Sequence, residues 1–235
     1  MASSDRLIEE QIAYYRSRAD EYDEWFLRQG RYDRGPELNA RWFAEVESVA
    51  SALEAFAPAG DVLELASGTG LWTQRLVRTA RTVTAVDSSP EVHAINQERL
   101  SETPDHAPVH VVVADLFQWQ PDRQYDTIFF SFWLSHVPPE RLESFWSLVH
   151  KTLAPGGRVF FVDSRYDETS TAKDHQLEGP DAHAVTRRLN EGQEYRIVKV
   201  FYRPEDLTRQ LGAWGWQAKI EQTPTYFYYG VADMQ

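Results

Sequence analysis

Four short groups of residues have types and spacings that could do chemistry. Glu64-Leu65-Ala66-Ser67-Gly68-Thr69-Gly70 lies between an apolar run and a helical one, and glycines at 68 and 70 permit a tight turn with close backbone approach to a nucleotide or nucleoside. Taken alone, that pattern also fits a strand-to-helix turn that binds nothing. The next apolar run ends at Asp87, whose carboxylate could accept hydrogen bonds from the two hydroxyls of a ribose; Asp87, Ser88 and Ser89 also precede Pro90 as an N-cap would. A third run ends at Asp115-Leu116-Phe117, an acceptor beside an apolar patch suited to an adenine ring, or an ordinary loop acid. His136 follows the fourth run. An imidazole with an unperturbed pKa of about 6.5 suits general base work, although a histidine before Val137-Pro138-Pro139 also suits a helix cap or a backbone hydrogen bond.

A second set of residues could close over such a site. Tyr14, Arg18 and Tyr22 share one helical face at i,i+4 spacing, and Tyr15 stands on the neighbouring face. They read either as a lid or as core aromatics with a surface cation. Arg165 and Tyr166 follow the fifth run, and Arg187, Arg188 and Lys199 lie further on. Their cations could pair with a substrate carboxylate, while strand alternation sends adjacent arginines to opposite faces and leaves at least one in solvent. Trp133, with Trp42 and Phe132, could line an aromatic acceptor pocket or simply fill the core.

The elements that must position these residues follow from the hydrophobic rhythm. Apolar runs at 61–66, 82–87, 109–115, 125–133 and 158–164 alternate with helical stretches near 71–79, 89–101 and 139–153, which predicts five parallel strands covered on both faces. Two helices precede them, the first carrying Ile8, Ile12, Tyr15, Ala19, Tyr22 and Phe26 and the second ending before Pro58-Ala59-Gly60. After residue 165 come a polar stretch, a hairpin turning at Glu191-Gly192-Gln193, a helix over 204–211, and strands at 218–223 and 226–232. Pro224-Thr225 is too short a link for a crossover helix, so these last two strands should be antiparallel neighbours.

The 235 residues suit one α/β domain, divided as a helical cap (1–60), a cofactor-binding core (61–164), a substrate-side insert (165–203) and a final helix with a strand pair (204–235). A net charge of −12 argues against a nucleic-acid or anionic-membrane surface, and no stretch approaches the roughly 18 apolar residues of a membrane span. There is no cysteine, and His106, His110, His175 and His183 lack metal-ligand spacing, so no metal is expected. Cytoplasm is the expected compartment.

With these motifs in place, the chain resembles a class I S-adenosylmethionine (SAM)-dependent methyltransferase of the small-molecule type, over residues 12 to 232. The resemblance rests on E-x-A-x-G-x-G at 64–70, the acid Asp87, VVVADL, YDTIFFSFWLSHV, LAPGGRVFFVD and the YYRSRADEYD helix. It implies a Rossmann-like, doubly wound seven-stranded sheet, mostly parallel with an antiparallel C-terminal strand, plus the N-terminal helical lid and the hairpin insert. It places Glu64 and Gly68 along the methionine portion of SAM, Asp87 on the ribose, Asp115 and Leu116 by the adenine and Ser131 near the methionine, with Tyr22, Ala66, Gly70 and Ser88 in the same cofactor-binding set. Tyr14, Tyr15, Arg18, Trp133, Arg165, Tyr166 and Arg187 are then substrate-side candidates, and His136 the catalytic one. Ala66 stands where the family more often has glycine, and Glu64 where it often has Asp. The implied reaction is transfer to an O or N atom of a small, aromatic or carboxylated acceptor by a monomer or homodimer. A non-catalytic cofactor-binding subunit is the first alternative. A nicotinamide oxidoreductase is the second, disfavoured because Thr73 replaces the third glycine of G-x-G-x-x-G.

Overall fold

The computed structural model describes residues 2–234; Met1 and Gln235, the outermost residues of the cap and of the final segment, lie outside the described residues. The chain opens with α1 (Ala2–Ser17), a single 3-10 turn and α2 (Tyr22–Phe26), followed by α3 (Pro36–Phe56). The single first helix expected from the periodicity is thus broken at Arg18. The break turns α2 across the glycine turn, where the Thr69 hydroxyl donates to Asp23 at 2.5 Å and Arg99 bonds both Asp23 and the Thr69 carbonyl.

The five expected parallel strands are β1 (Asp61–Leu65), β2 (Thr82–Asp87), β3 (Val109–Val113), β4 (Tyr125–Ser131) and β5 (Leu153–Ser164), in the order β3-β2-β1-β4-β5. β1 and β4 stop short of the expected 66 and 133 because Ala66 and Phe132 turn the backbone into the left-handed region, with φ of +54° and +52°. β5 starts five residues earlier than 158, pairing Leu153 with Tyr125 across a register shift. Between the strands lie α4 (Thr73–Leu76), α5 (Pro90–Ser101) and α6 (Leu142–Thr152). α4 is shorter than the expected 71–79 because the flanking residues mix i→i−3 with i→i−4 bonds.

The insert forms the separate hairpin β6 (Ala184–Arg188) and β7 (Glu194–Val198). After α7 (Pro204–Ala213) come β8 (Trp216–Gln222) and β9 (Phe227–Met234). β9 enters the sheet between β5 and β8, antiparallel to both, which completes seven strands. The buried Glu45 carboxylate on α3 anchors this return by accepting the Thr225 and Tyr226 amides at 3.1 and 2.7 Å.

Alternating strand residues feed two cores. Leu63, Leu65, Ile128, Phe130, Val159 and Phe161 pack towards α6 and α7, while Val62, Val83, Phe129, Phe160 and Val162 pack towards α3 and α4. A third, smaller cluster joins Tyr14 of α1 to Val185, Leu189, Tyr195 and Ile197 of the hairpin, so the N-terminal helix and the insert share a core of their own above the sheet. No helix among the described residues is long and apolar enough to cross a membrane.

Candidate active site

β1 is the point from which the chain winds outward in both directions, to β2 and β3 on one side and to β4 and β5 on the other. In sheets of this type, ligands bind beyond the carboxyl ends of the strands at such a switch point. Here Ala66, Asp87, Asp115, Ser131 and Ser164 line one cavity of about 1220 Å³, mouth included, roofed by α1, α2 and the hairpin.

The sheet-side end carries the carboxylates. Asp87 accepts the Gly68 amide at 3.0 Å with one oxygen and the Ser89 amide at 3.1 Å with the other, so it braces the glycine turn while facing the cavity. The N-cap of α5 is Ser89, whose hydroxyl accepts the Val92 amide. Burial raises the Asp87 pKa above its ordinary value. Asp115 accepts the Phe117 amide at 2.9 Å, and Leu116, Phe117 and Trp133 form an apolar wall beside it. The Phe117 and Trp133 rings lie 5.4 Å apart, which puts Trp133 beside Asp115, and its buried Nε1 has no partner. Ser88 and Ser131 also reach the cavity.

Glu64, Gly68 and Gly70 support the floor and do not line that cavity. Glu64 is buried, accepts the Thr73 hydroxyl at 2.6 Å, and is pushed up to about 8, first by burial. Tyr22 lies directly over Gly68, its hydroxyl 3.0 Å from where a Cβ would sit. A Cβ on Gly70 would fall 2.3 Å from Asn96 Oδ1, so the turn requires glycine at that position for space as well as for its φ of +85°.

The roof end carries cations and tyrosines. Tyr14, Tyr15, Arg18, Tyr32, His136, Arg187 and Lys199 all line it. Gln11 on α1 ties the parts together, donating to the His136 carbonyl and accepting the Val198 amide, both at 3.1 Å. His136 Nδ1 lies 2.8 Å from the Val198 carbonyl, which can only accept, so Nδ1 carries the proton. Nε2 therefore accepts from the Tyr15 hydroxyl at 2.8 Å. Burial, then the neighbouring Lys199, hold the His136 pKa well below 6.5, and the imidazole is neutral. The Arg18 guanidinium carbon lies 5.4 to 5.8 Å from the ring centres of Tyr14, Tyr22 and Tyr32.

Two sequence candidates stand off the cavity wall. Arg165 donates to the Thr223 carbonyl at 2.6 Å, and Tyr166 packs edge-on against Phe201. Alternation separates Arg187, which faces the cavity, from Arg188, which faces outward and donates to Asp174. Trp42 is core. Tyr32, Thr171 and Ser164 are wall residues that sequence reasoning missed. Tyr32 lies in a polar loop with no periodicity to mark it. No cluster of three or more potential metal ligands occurs among the described residues.

Residues 62–157 match the family model described as a methyltransferase domain. The protein DhpI, solved with S-adenosylhomocysteine (SAH), is 39% identical, with 97% of each chain covered and a TM-score of 0.77; its complex with SAM and HEP superposes at 0.78. An uncharacterised methyltransferase of Bacillus cytotoxicus is 28% identical over 169 residues, which cover 66% of this chain and 76% of that protein. The glycopeptide N-methyltransferase MtfA, at 18% identity and a TM-score of 0.58, shares the fold. The chain belongs to the class I SAM-dependent methyltransferases of the small-molecule type. It is an enzyme whose cofactor is SAM.

Proposed function

We propose that the protein transfers the methyl group of SAM to an oxygen atom of a small acceptor held at the roof end of the cavity. The observation that carries this is the continuity of one cavity from Asp87 and Asp115 to Arg18, His136, Arg187 and Lys199. The sheet-side groups suit the cofactor: the Asp87 carboxylate suits ribose hydroxyls, and the wall of Leu116, Phe117 and Trp133 suits the adenine, with the unpartnered Trp133 Nε1 as a free donor. Tyr22 over the glycine turn and Ser131 at the end of β4 suit the methionine portion. DhpI holds SAM together with HEP, and at 39% identity over nearly the whole chain the same two-ligand occupancy is proposed here.

The cofactor, when bound, supplies a sulfonium methyl whose carbon–sulfur bond breaks onto sulfur as the acceptor's lone pair attacks carbon. The protein's part is then to hold the nucleophile in line and exclude water. Oxygen is favoured over an aliphatic amine nitrogen by charge, because such an amine is an ammonium ion near neutrality and would meet Arg18, Arg187 and Lys199. His136 is the candidate base by position. Its depressed pKa and its existing bond to Tyr15 favour a positioning part instead, in which it accepts the Tyr15 hydroxyl proton and fixes that ring at the cavity wall.

The test is SAH formation from SAM with a panel of small oxygen and nitrogen acceptors. Turnover is expected with oxygen acceptors; turnover with amines alone would refute the assignment. For His136→Ala, a positioning part predicts a raised acceptor KM with kcat retained within about tenfold and no new pH limb. Loss of kcat by about 10²-fold or more would make His136 the base.

A further inference from the structure

The stretch that leads from β5 into the insert lies outside both sheets, yet its backbone is held along its length. Residues 168–170 make one 3-10 turn, which cannot satisfy its own last carbonyls. Side chains from α2 and the loop after it do so instead. Arg34 Nη2 lies 3.0, 2.9 and 3.2 Å from the carbonyl oxygens of Glu168, Thr171 and Ala172. Arg28 donates to the carbonyls of Thr169 and Ser170 at 2.7 and 3.1 Å, and Trp25 Nε1 adds a bond to Ser170 at 2.8 Å. Every carbonyl from 168 to 172 is thus taken by a side chain of the cap. The residues fixed in this way include Ser170 and Thr171, both buried and both on the cavity wall. Arg28 is an expensive residue for such a place. Its backbone sits in the left-handed region with a φ of +56°, its buried guanidinium forms no ion pair among the described residues, and its Nε has no hydrogen-bond partner. Apolar filling of the same volume would avoid these penalties.

The other end of α2 lies on the cofactor side. Tyr22 covers Gly68, and Asp23 accepts from the Thr69 hydroxyl and from Arg99. The Leu27 amide donates to the Asp23 carbonyl and the Gln29 amide to the Glu24 carbonyl, so the helical turn runs without a break from the glycine turn to Arg28. We propose that Arg28 and Arg34 are positioning residues for the methyl acceptor: they hold residues 168–172 as one wall of the cavity and, through α2, tie that wall to the glycine turn beneath the cofactor. The proposal rests on the proposed oxygen methyl transfer for its meaning, but its first measurement needs no turnover. A guanidinium fork spans two neighbouring carbonyls, and a shorter amide side chain frees at least one of them. A wall loosened in this way no longer follows what happens at the glycine turn.

Amide hydrogen exchange on the full chain, with and without saturating SAH, tests this directly. In the native protein SAH is expected to slow exchange over residues 66–70 and also over 167–173. In Arg28→Gln it should still slow the first stretch and no longer the second, with SAH affinity within about threefold of native. With an oxygen acceptor that the native chain turns over, the same variant should raise the acceptor KM by about tenfold and leave kcat within about threefold. A purely structural Arg28 would lower the Tm and move neither the SAH response nor the ratio of KM to kcat. Should Arg28→Gln not melt cooperatively, Arg34→Gln takes its place with the same expectations. The proposal is overturned if SAH binds the native chain without slowing 167–173, if that slowing survives in the folded variant, or if the acceptor KM does not move. Absence of turnover with every oxygen acceptor would instead remove the oxygen methyl transfer, and the exchange data alone would then decide whether Arg28 and Arg34 tie the wall to the cofactor turn.

Discussion

The two ends of the cavity differ in how far their charged groups are satisfied before any ligand arrives. At the sheet-side end, both oxygens of Asp87 accept backbone amides, and Asp115 accepts the Phe117 amide and the Gln118 side chain. At the roof end, Arg18 Nε and the Tyr14 hydroxyl have no partner and Arg187 bonds only neutral groups. The first is a site built by strand ends and locked by its own backbone, as suits a cofactor of fixed shape. The second is assembled from α1, the hairpin and the segment after β4, and Arg18 and Arg187 there have no ion-pair partner among the described residues. Under the proposed function, the cofactor end sets the class of enzyme and the roof end sets the acceptor.

The comparison is broken most severely from below. Gly70→Ala forces a Cβ to within 2.3 Å of Asn96 and imposes a φ of +85° on a residue with a side chain, so a loss of about 3 kcal/mol or more is expected in chemical denaturation. An unchanged midpoint would show that the glycine turn is not packed as described. Glu64 gives the next effect. Its folded pKa of about 8 lies above the ordinary 4.5, so the folded protein keeps a proton that the unfolded chain releases between those values. That contribution to stability is fully present below about pH 4.5 and is lost as pH rises towards 8. Glu64→Gln keeps an acceptor for Thr73 without the ionisation, so in ligand-free protein its stability relative to the native chain should grow by a few kcal/mol across that window. A pH-independent difference would contradict it.

The roof end is tested by pH in the opposite sense. Burial lowers Lys199 to about 8, with Asp163 opposing and Arg187 and Arg18 reinforcing the shift. The free enzyme therefore loses a cation above about pH 8. For an anionic acceptor, kcat/KM should be level below that point and fall by up to about tenfold per pH unit above it. Lys199→Arg should move the limb beyond the accessible range, and an unmoved limb would assign it elsewhere. The smallest effect is at the floor. Ala66 holds a φ of +54° that glycine adopts without strain, so Ala66→Gly should stabilise the protein by about 0.5–1 kcal/mol, read as a higher Tm. A lower Tm would mean that the Ala66 methyl contributes packing that outweighs the strain.

Much of the fold was legible because buried parallel strands are near-continuous apolar runs. Residues 61–65 and 82–87 could hardly be anything else once helical stretches separated them, and the two-residue link at Pro224-Thr225 predicted the antiparallel return. What stayed hidden depended on contacts between distant segments. The break at Arg18 has no proline or glycine to announce it; it exists because Tyr22 and Asp23 must reach the glycine turn 46 residues away. The cofactor-side acids lay at strand ends, where their position follows from the fold alone. Roof residues carry no such rule: Arg165 and Arg187 look alike in sequence, and only the hairpin's placement on α1 sends one to a carbonyl and the other to the cavity. Lys199 could be named as a hairpin cation, but its neighbours Asp163, Ser135 and Ser164 come from two other elements.

The central claim is that one cavity has two ends with separate ligands, and the most direct measurement is a pair of determinations, SAH affinity and the KM of an oxygen acceptor that turns over, on the native chain, Asp87→Asn and Arg187→Gln. Asp87→Asn should weaken SAH by about 10- to 100-fold and leave the acceptor KM within about threefold, while Arg187→Gln should do the reverse. If Arg187→Gln weakened SAH as much as Asp87→Asn did, or if neither variant touched its own ligand, the division of the cavity into a cofactor end and an acceptor end would be contradicted.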